Sequence, residues 1–361
     1  MTAADPALPD APFFILGAHG SGSTLLRLML DSHERLAVPQ ETGVMRLVTA
    51  HSWVPFWEFG GEWAERLELT PAELDRRLGE FYGALFSRYA ARRGKQRWGD
   101  KTPFHVWHVD EIRRVFPSAV FVVIVRHPLG SIASAVRRFD RRLQKATGHW
   151  LDTTRELVRQ AQQLDAGQMC FVRYEDLIRD PEPTMRELLA WLGEPWSETV
   201  LAHHEVQRAQ DAPKVVEGGT RPTEAVDASR VERWRDWLGE EDRRYVEEQA
   251  LPWARLLGYD PDPSVAPQRL TPSDRDRLFV TTAAELSERR KRFTDLDPTP
   301  PERPGADDPI LPRGRRRRRI ALRRAGSARS EMARELLSRL PPSLQRSVRE
   351  VRRAHRRRQQ G

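Results

Sequence analysis

The chain contains almost no cysteine: Cys170 is the one cysteine among 361 residues. A single cysteine cannot form an intramolecular disulfide, which excludes a disulfide-stabilised fold and is typical of a reducing compartment. The sequence also lacks any apolar run of the roughly 20 residues that a membrane-spanning helix needs. Its first twelve residues have neither the basic stretch nor the apolar stretch of a signal peptide. These absences predict a cytoplasmic protein that is soluble or bound peripherally to a membrane surface.

Net positive charge is confined to the end of the chain. Residues 313–361 contain 18 arginines, no lysine and three glutamates, whereas the net charge of the whole chain is +8, so residues 1–312 are mildly acidic. Arginines combined with apolar residues at helical spacing suit an anionic membrane surface, and they also suit nucleic acid through counterion release. The segment has no aromatic residue on which bases could stack. We therefore expect a membrane surface rather than nucleic acid as its partner, with a solvated tail as the third alternative.

Strand-like and helical segments alternate through the first half of the chain. Runs rich in β-branched and aromatic residues predict strands at 13–16, 119–125 and 169–174. Helical spacing follows each of them, and a Thr-Pro-x-Glu signal begins a further helix over 70–93. This order predicts a three-layer α/β fold of the P-loop type, in which helices flank a central parallel sheet. Further helical patterns cover 129–139, 181–192, 196–207 and 228–257.

The composition divides the chain into three predicted parts. The α/β domain spans 1–262 and is followed by a linker over 263–312, which is rich in proline and charge and contains one predicted helix. Residues 313–361 form the arginine-rich tail, in which apolar residues predict two short amphipathic helices.

The loop after the first predicted strand lacks the lysine of an ATP-binding loop. Gly17, Gly22 and Thr24 fit the spacing G-x-x-x-x-G-K-[ST], but Ser23 stands in the lysine position. Backbone N–H groups and hydroxyls at the start of a helix can still hold an anion. Phosphoryl transfer from ATP needs the lysine and Mg²⁺ against the charge of the β- and γ-phosphates. The loop therefore favours a donor with fewer phosphates in line, and a plain Gly/Ser-rich turn is the alternative.

A second anion site is predicted where the second of these strands ends. Arg126 follows the buried run 119–125, and Ser134 and Arg138 lie four residues apart on the helix that comes next. Residues four apart share a helix face, and guanidinium groups match the geometry of phosphate. These three side chains can therefore bind a second phosphate. The alternative is an arginine at a strand end beside a solvated helix face.

Residues 14–33, FILGAHGSGSTLLRLMLDSH, resemble the 5′-phosphosulfate loop of sulfotransferases that use 3′-phosphoadenosine 5′-phosphosulfate (PAPS). The resemblance covers roughly residues 12–260 and is to the branch that contains bacterial and tyrosylprotein sulfotransferases. It implies PAPS as the donor, a hydroxyl group as the acceptor and no metal. It also implies that the cofactor is bound by His19, Gly20, Ser21, Gly22, Ser23, Thr24, Arg126, Ser134, Arg138 and Tyr174.

Gly20 departs from the family pattern, which usually has Arg or Lys immediately before the Ser-Gly pair. The departure removes a charge-assisted contact of about 1.5–3 kcal/mol to the 5′-phosphate. We expect compensation from His19 or Arg27, or else weaker donor binding.

Two residues match the catalytic positions of the resembled family. Glu41, in QETG, matches the general base of the tyrosylprotein branch, and a helix-capping glutamate is the alternative. Lys101 lies in WGDKTP, which resembles a box of the bacterial members whose lysine approaches the leaving group. Asp100 is a candidate for orienting Lys101 or binding substrate, and His105 and His108 are reserve bases. No cluster of His, Cys, Asp and Glu has metal-ligand spacing.

The sequence therefore predicts a sulfotransferase that moves a sulfuryl group from PAPS to an unidentified hydroxyl acceptor by in-line displacement, with Glu41 as base and Lys101 at the leaving group. The acceptor classes considered are a glycan, a lipid-linked molecule and a small molecule. The aromatic segment 53–63 either lines the acceptor pocket or packs in the core. The alternatives are a P-loop kinase-like phosphotransferase and a catalytically degenerate sulfotransferase fold that only binds. The oligomeric state is not predicted.

Overall fold

The computed structural model describes residues 11–52, 60–164, 167–210, 213, 215–216 and 220–259. The predicted linker, the arginine-rich tail and most of the aromatic segment 53–63 lie outside these residues.

A five-stranded parallel sheet forms the centre of the described domain. Its strands are β1 (Phe13–Leu16), β2 (Leu36–Ala37), β3 (Arg97–Lys101), β4 (Val120–Val125) and β5 (Met169–Arg173), in the order β2-β3-β1-β4-β5. The central β1 pairs with β3 on one side, with Ile15 opposite Lys101, and with β4 on the other side. Because the strands are parallel, the loops that follow β1, β3, β4 and β5 emerge at one edge of the sheet.

Helices connect the strands and follow them. They are α1 (Ser23–Asp31), α2 (Val44–Ser52), α3 (Gly60–Arg66), α4 (Pro71–Arg92), α5 (Val109–Val115), α6 (Pro128–Phe139), α7 (Leu143–Ala161), α8 (Tyr174–Arg179), α9 (Pro181–Leu192), α10 (His203–Ala209), α11 (Trp234–Trp237) and α12 (Glu240–Ala254). The predicted start of α4 is confirmed: Thr70 Oγ1 accepts a hydrogen bond from Glu73 N at 3.1 Å, and Pro71 is the first helical residue. None of the helices in the described part of the chain is long and apolar enough to cross a membrane.

Both faces of the sheet are buried. Along β1 and β4, Phe14, Leu16 and Phe121 point into one hydrophobic cluster, whereas Phe13, Ile15 and Val122 point into another. A strand covered on both faces reads as a continuous apolar run, which is why β1, β4 and β5 were visible in the sequence. The predicted three-layer α/β fold is confirmed.

The predicted helix over 228–257 is divided in the structure. A short turn of helix at 228–231 and α11 precede α12, and Leu238 between them is extended, with φ −114° and ψ 123°. Trp234 and Leu238 are both buried in the core. Helical periodicity alone did not reveal this break.

Tyr259, the last described residue, is held by contacts with residues near the ends of β4 and β5. The buried Tyr259 hydroxyl donates to Glu175 Oε2 at 2.8 Å, and Glu175 Oε1 accepts from His127 N at 3.1 Å. Arg173 lies over the Tyr259 ring, with its guanidinium carbon 5.0 Å from the ring centroid. Burial raises the pKa of Glu175 because it disfavours the charged carboxylate, and the hydrogen bonds from His127 and Tyr259 oppose this effect. The domain boundary near residue 262 stays a prediction.

Candidate active site

The glycine-rich loop lies between the central strand and α1, at the edge of the sheet where the site is expected. Gly20 and Gly22 have positive φ angles, 83° and 96°, and α1 begins directly after Gly22. Ser21 N donates to Ala18 O at 3.1 Å, which closes a tight turn. The Ser21 hydroxyl is buried and has no hydrogen-bond partner within the described residues. The loop therefore keeps a buried polar atom available next to the N-terminus of a helix.

Gly20 packs directly against α6. A Cβ atom at this position would lie 2.3 Å from Ser131 O and 3.1 Å from Ser134 Cβ. Ser131 Oγ also donates to His19 O at 3.0 Å. A side chain of any kind at position 20 would therefore collide with α6, so the charge missing from this position cannot be restored there without moving the loop.

Arg126 joins the loop to the second predicted phosphate site. Its Nη1 donates to Gly20 O at 3.0 Å and its Nη2 donates to Arg230 O at 2.9 Å. Its guanidinium carbon lies 4.1 Å from the centroid of the Tyr174 ring, and that ring also packs against Gly22. Arg126 Nε is buried without a partner among the described residues. The structure thus brings Arg126, Tyr174 and the loop together.

Ser134 and Arg138 lie on α6 beside Arg126. Ser134 is buried, whereas Arg138 stays accessible to solvent and its Nη1 donates to Thr220 Oγ1 at 3.3 Å. Surrounding protein atoms lower the pKa of Arg138, and the charges of Arg126, Arg230 and Arg233 add to this effect. Arg230 is paired with Glu224 at 3.0 Å and Arg233 with Asp227 at 2.6 Å, so these carboxylates offset part of the positive charge around Arg126 and Arg138. Sequence reasoning missed Arg230 and Arg233, because nothing in their local pattern places them near α6.

Lys101 connects the loop to the predicted base. It is the last residue of β3 and its side chain is almost fully buried. Its Nζ donates to Glu41 Oε1 at 2.6 Å and to Thr24 Oγ1 at 3.3 Å. Glu41 keeps 35% of its side chain exposed. One cation therefore contacts both the first residues of α1 and a carboxylate that a substrate can reach.

Asp100 holds the segment of Glu41 against β3. It is fully buried and accepts hydrogen bonds from Thr42 Oγ1 and, at 2.9 Å, His105 Nε2. The neighbouring Thr102 Oγ1 accepts from Gly43 N at 3.1 Å. Asp100 is therefore a positioning residue that fixes the residues next to Glu41.

The two reserve bases are engaged within the protein. His105 is fully buried against Asp100. His108 Nδ1 lies 3.1 Å from Thr49 Oγ1, and burial, followed by the charges of His105 and Arg46, lowers its pKa to about 4. Neither histidine has the exposure of Glu41. Of these three side chains, that of Glu41 is the most exposed.

The two residues expected to compensate for Gly20 occupy different environments. Arg27 is buried in α1, where its Nη1 donates to Val38 O at 3.4 Å. His19 instead lies beside His149 of α7, with the ring centroids 4.3 Å apart, and beside Phe139 at 5.3 Å. His149 was not predicted, since it is 130 residues away in sequence and belongs to no motif.

The comparisons with known proteins identify the family of the chain. The model of the sulfotransferase family matches residues 12–198, so the chain belongs to the sulfotransferase family. The resemblance seen in the sequence is confirmed, and the chain is a sulfotransferase enzyme. The comparisons therefore favour sulfuryl transfer over the kinase-like alternative.

The chain is similar to protein-tyrosine sulfotransferase 1 of Danio rerio, with 28% identity over 266 residues that cover 70% of this chain and 73% of that protein. It is also similar to protein-tyrosine sulfotransferase 2 of Gallus gallus, with 26% identity, covering 69% of each. Among solved structures, it is similar to the sulfotransferase domain from the curacin biosynthetic pathway, with a TM-score of 0.49, 21% identity and coverage of 70% of this chain and 98% of that one.

Proposed function

We propose that this enzyme transfers a sulfuryl group from PAPS to a hydroxyl group, with Glu41 as the general base and Lys101 at the leaving group. The observation that carries the proposal is the double contact of Lys101, with Glu41 Oε1 at 2.6 Å and with Thr24 Oγ1 at 3.3 Å. It supports a site in which the base and the loop that holds the donor are joined by one buried cation.

The described residues fit a nucleotide with two anionic ends. The loop offers backbone N–H groups, the Ser21 hydroxyl and the hydroxyls of Ser23 and Thr24, while Arg126, Ser134 and Arg138 offer the second group of donors. The contact between Arg126 Nη1 and Gly20 O supports binding of one nucleotide by both groups, since it keeps them adjacent. The buried Ser21 Oγ and Arg126 Nε, which have no partner within the described residues, support an anionic ligand at this place.

The chemistry assigned to the chain's residues is a proton transfer and the stabilisation of a charge. When bound, PAPS supplies the sulfuryl group, and its S–O bond to the 5′-phosphate breaks as the acceptor oxygen forms a new bond to sulfur. Glu41 accepts the proton of the acceptor hydroxyl, and Lys101 stabilises the negative charge that remains on the phosphate oxygen. The ion pair with Lys101 and the Asp100–Thr42 hydrogen bond hold Glu41 in place before the substrates arrive.

The acceptor, the cellular location and the division of the chain into a domain, a linker and a tail are also part of the proposal. Because two relatives are named protein-tyrosine sulfotransferases, a tyrosyl hydroxyl is the first acceptor to test, followed by glycan, lipid-linked and small-molecule hydroxyls. A cytoplasmic enzyme that the tail holds at an anionic membrane remains a prediction, because the tail lies outside the described residues.

The donor is tested by thermal shift with adenosine 3′,5′-bisphosphate (PAP), ADP and ATP, and the chemistry by transfer of ³⁵S from labelled PAPS to tyrosine peptides and to lysate and lipid fractions. We expect stabilisation by PAP above that by ADP or ATP. Glu41→Gln should lower labelling about 10²- to 10⁴-fold, the usual contribution of a positioned acid or base. Lys101→Ala should lower it about 10²- to 10³-fold, the usual cost of removing a group that stabilises developing charge. Glu248→Gln, an exposed substitution on α12, is the matched control. Unchanged labelling in both site variants would show that the catalytic assignment is wrong.

A further inference from the structure

The connection between α6 and α7 brings a group of polar side chains to His19. Asp140 ends α6 with a positive φ of 47°, and α7 begins three residues later. Phe139, the last residue of α6, and His149, within α7, contact the His19 ring. The guanidinium carbon of Arg141 lies 5.6 Å from the centroid of the Phe139 ring. Arg141 and His19 thus lie against the same aromatic ring, that of Phe139.

The two imidazoles are kept neutral and close to this cation. Burial, followed by the charges of His149, Arg141 and Lys101, lowers the pKa of His19 to about 3. Burial and then the charge of Arg141 lower the pKa of His149 to about 4. Arg141 and His19 both lie against the Phe139 ring, and His149 lies against His19, so the three groups adjoin one another. Each neutral imidazole keeps one N–H group that can donate to an anion.

His19 also carries a buried atom that lacks a partner. Its Nδ1 is inaccessible to solvent and makes no hydrogen bond within the described residues. Such an atom costs roughly 1–3 kcal/mol unless something satisfies it. A ligand that enters the loop from this side would satisfy it.

The charges next to the glycine-rich loop indicate how an anionic ligand could be stabilised there. Lys101 is the cation assigned above to the leaving group, but the carboxylate of Glu41 lies 2.6 Å from it and offsets its charge. Gly20 cannot carry a cation because a side chain would meet Ser131 O. A phosphosulfate brings negative charge toward Glu41, so a further cation on this side of the loop would stabilise the bound donor.

We propose that Arg141, together with the His19–His149 pair, binds the sulfuryl end of the donor. This inference rests on PAPS being the donor, as proposed above. Arg141 supplies the positive charge, and the imidazole N–H groups donate to the sulfuryl oxygens. The cluster therefore discriminates PAPS from PAP, which has the same adenosine and 3′-phosphate but no sulfuryl group.

The inference is tested by isothermal titration of the full chain with PAPS and with PAP, in the absence of an acceptor. We expect Arg141→Met to weaken PAPS binding on the order of ten- to a hundredfold, as for loss of a charge-assisted hydrogen bond, and to change PAP binding less than about twofold. Arg141→Lys should recover part of the loss. His149→Phe, which keeps the ring contact, should weaken PAPS binding roughly two- to tenfold. Arg142→Met, at the exposed neighbouring position, should leave both affinities unchanged.

Equal weakening of PAPS and PAP in Arg141→Met would overturn the inference, because the arginine would then act on the nucleotide or on the fold. Unchanged PAPS binding with a raised KM for an acceptor would also overturn it and would place Arg141 in the acceptor site. If the wild-type chain bound neither nucleotide, the proposed donor itself would be wrong and this inference would fail with it. Melting temperatures of all variants identify any loss of folding, and Arg141→Lys then provides the decisive comparison.

Discussion

Replacing Gly20 by arginine, the residue type usual at this place in the family, is expected to damage the enzyme rather than to improve donor binding. Gly20 has a φ of 83°, and a Cβ there would lie 2.3 Å from Ser131 O. A left-handed conformation costs a non-glycine residue about 1–2 kcal/mol, and overpacking costs about 1–3 kcal/mol. The two costs together predict a loss of roughly 2–5 kcal/mol in the free energy of unfolding. For a domain of this size, that is a fall of about 4–20 °C in melting temperature.

The cost of the backbone and the cost of the collision can be separated by two alanine variants. Gly94 also has a positive φ, 68°, but an added Cβ there would meet nothing within 4 Å. Gly94→Ala should therefore show only the backbone cost of about 1–2 kcal/mol, and Gly20→Ala should show both costs. Melting temperature and urea unfolding measure the stability, and titration with PAP measures the donor site.

The reasoning is refuted if Gly20→Arg binds PAP more tightly than the wild type and melts at the same temperature. That result would mean that the loop and α6 separate easily, so that the cation usual in the family can be restored. Equal destabilisation in Gly20→Ala and Gly94→Ala would likewise show that the contact with Ser131 O costs nothing.

Two further predictions concern stability. Arg97→Met should lower the free energy of unfolding by about 3–5 kcal/mol in urea, because it removes the buried partner of Glu194 Oε1 at 3.2 Å and leaves that carboxylate with only its partly exposed ion pair to Arg35. Arg77→Met, at an exposed ion pair on α4, should cost less than about 1 kcal/mol, and similar values for the two would contradict the argument. Burial and then the charge of His204 lower the pKa of His203 to about 4 from 6.5, so its contribution to stability is present above pH 6.5 and is lost as the pH falls through 4. This loss is roughly 3 kcal/mol at 1.36 kcal/mol per pKa unit, and the fall in unfolding free energy between pH 7 and pH 4 should be smaller by that amount in His203→Gln. Identical pH dependence in the two proteins would rule this out.

The local sequence pattern was sufficient to predict the strands that are uniformly apolar and the loop that is rich in glycine. The strands β1, β4 and β5 are short continuous apolar runs, and the structure places them within one residue of their predicted limits. The loop between β1 and α1 was recognised because its glycines and hydroxyl residues are consecutive. These features need no information about distant residues, since each depends on the backbone and side chains of one segment.

The strands β2 and β3 could not be found in this way. Arg97, Asp100 and Lys101 are charged residues in a buried strand, and a period-2 pattern does not reveal them. Arg97 is accommodated because its guanidinium donates to Ala11 O and Leu192 O and pairs with Glu194. These partners lie 86 to 97 residues away in the chain. Burial of charge is therefore decided by contacts that no local window contains.

By itself, the sequence determined an α/β domain with an anion-binding loop, because hydrophobic periodicity and the spacing of glycines act within single segments. Only the tertiary structure decided the order of the strands, the ion pair between Lys101 and Glu41, and the placement of His149 beside His19 and of Arg141 over Phe139. The physical reason is distance along the chain: hydrogen bonds and charge interactions of this kind depend on separations in space, and 60 residues separate Glu41 from Lys101.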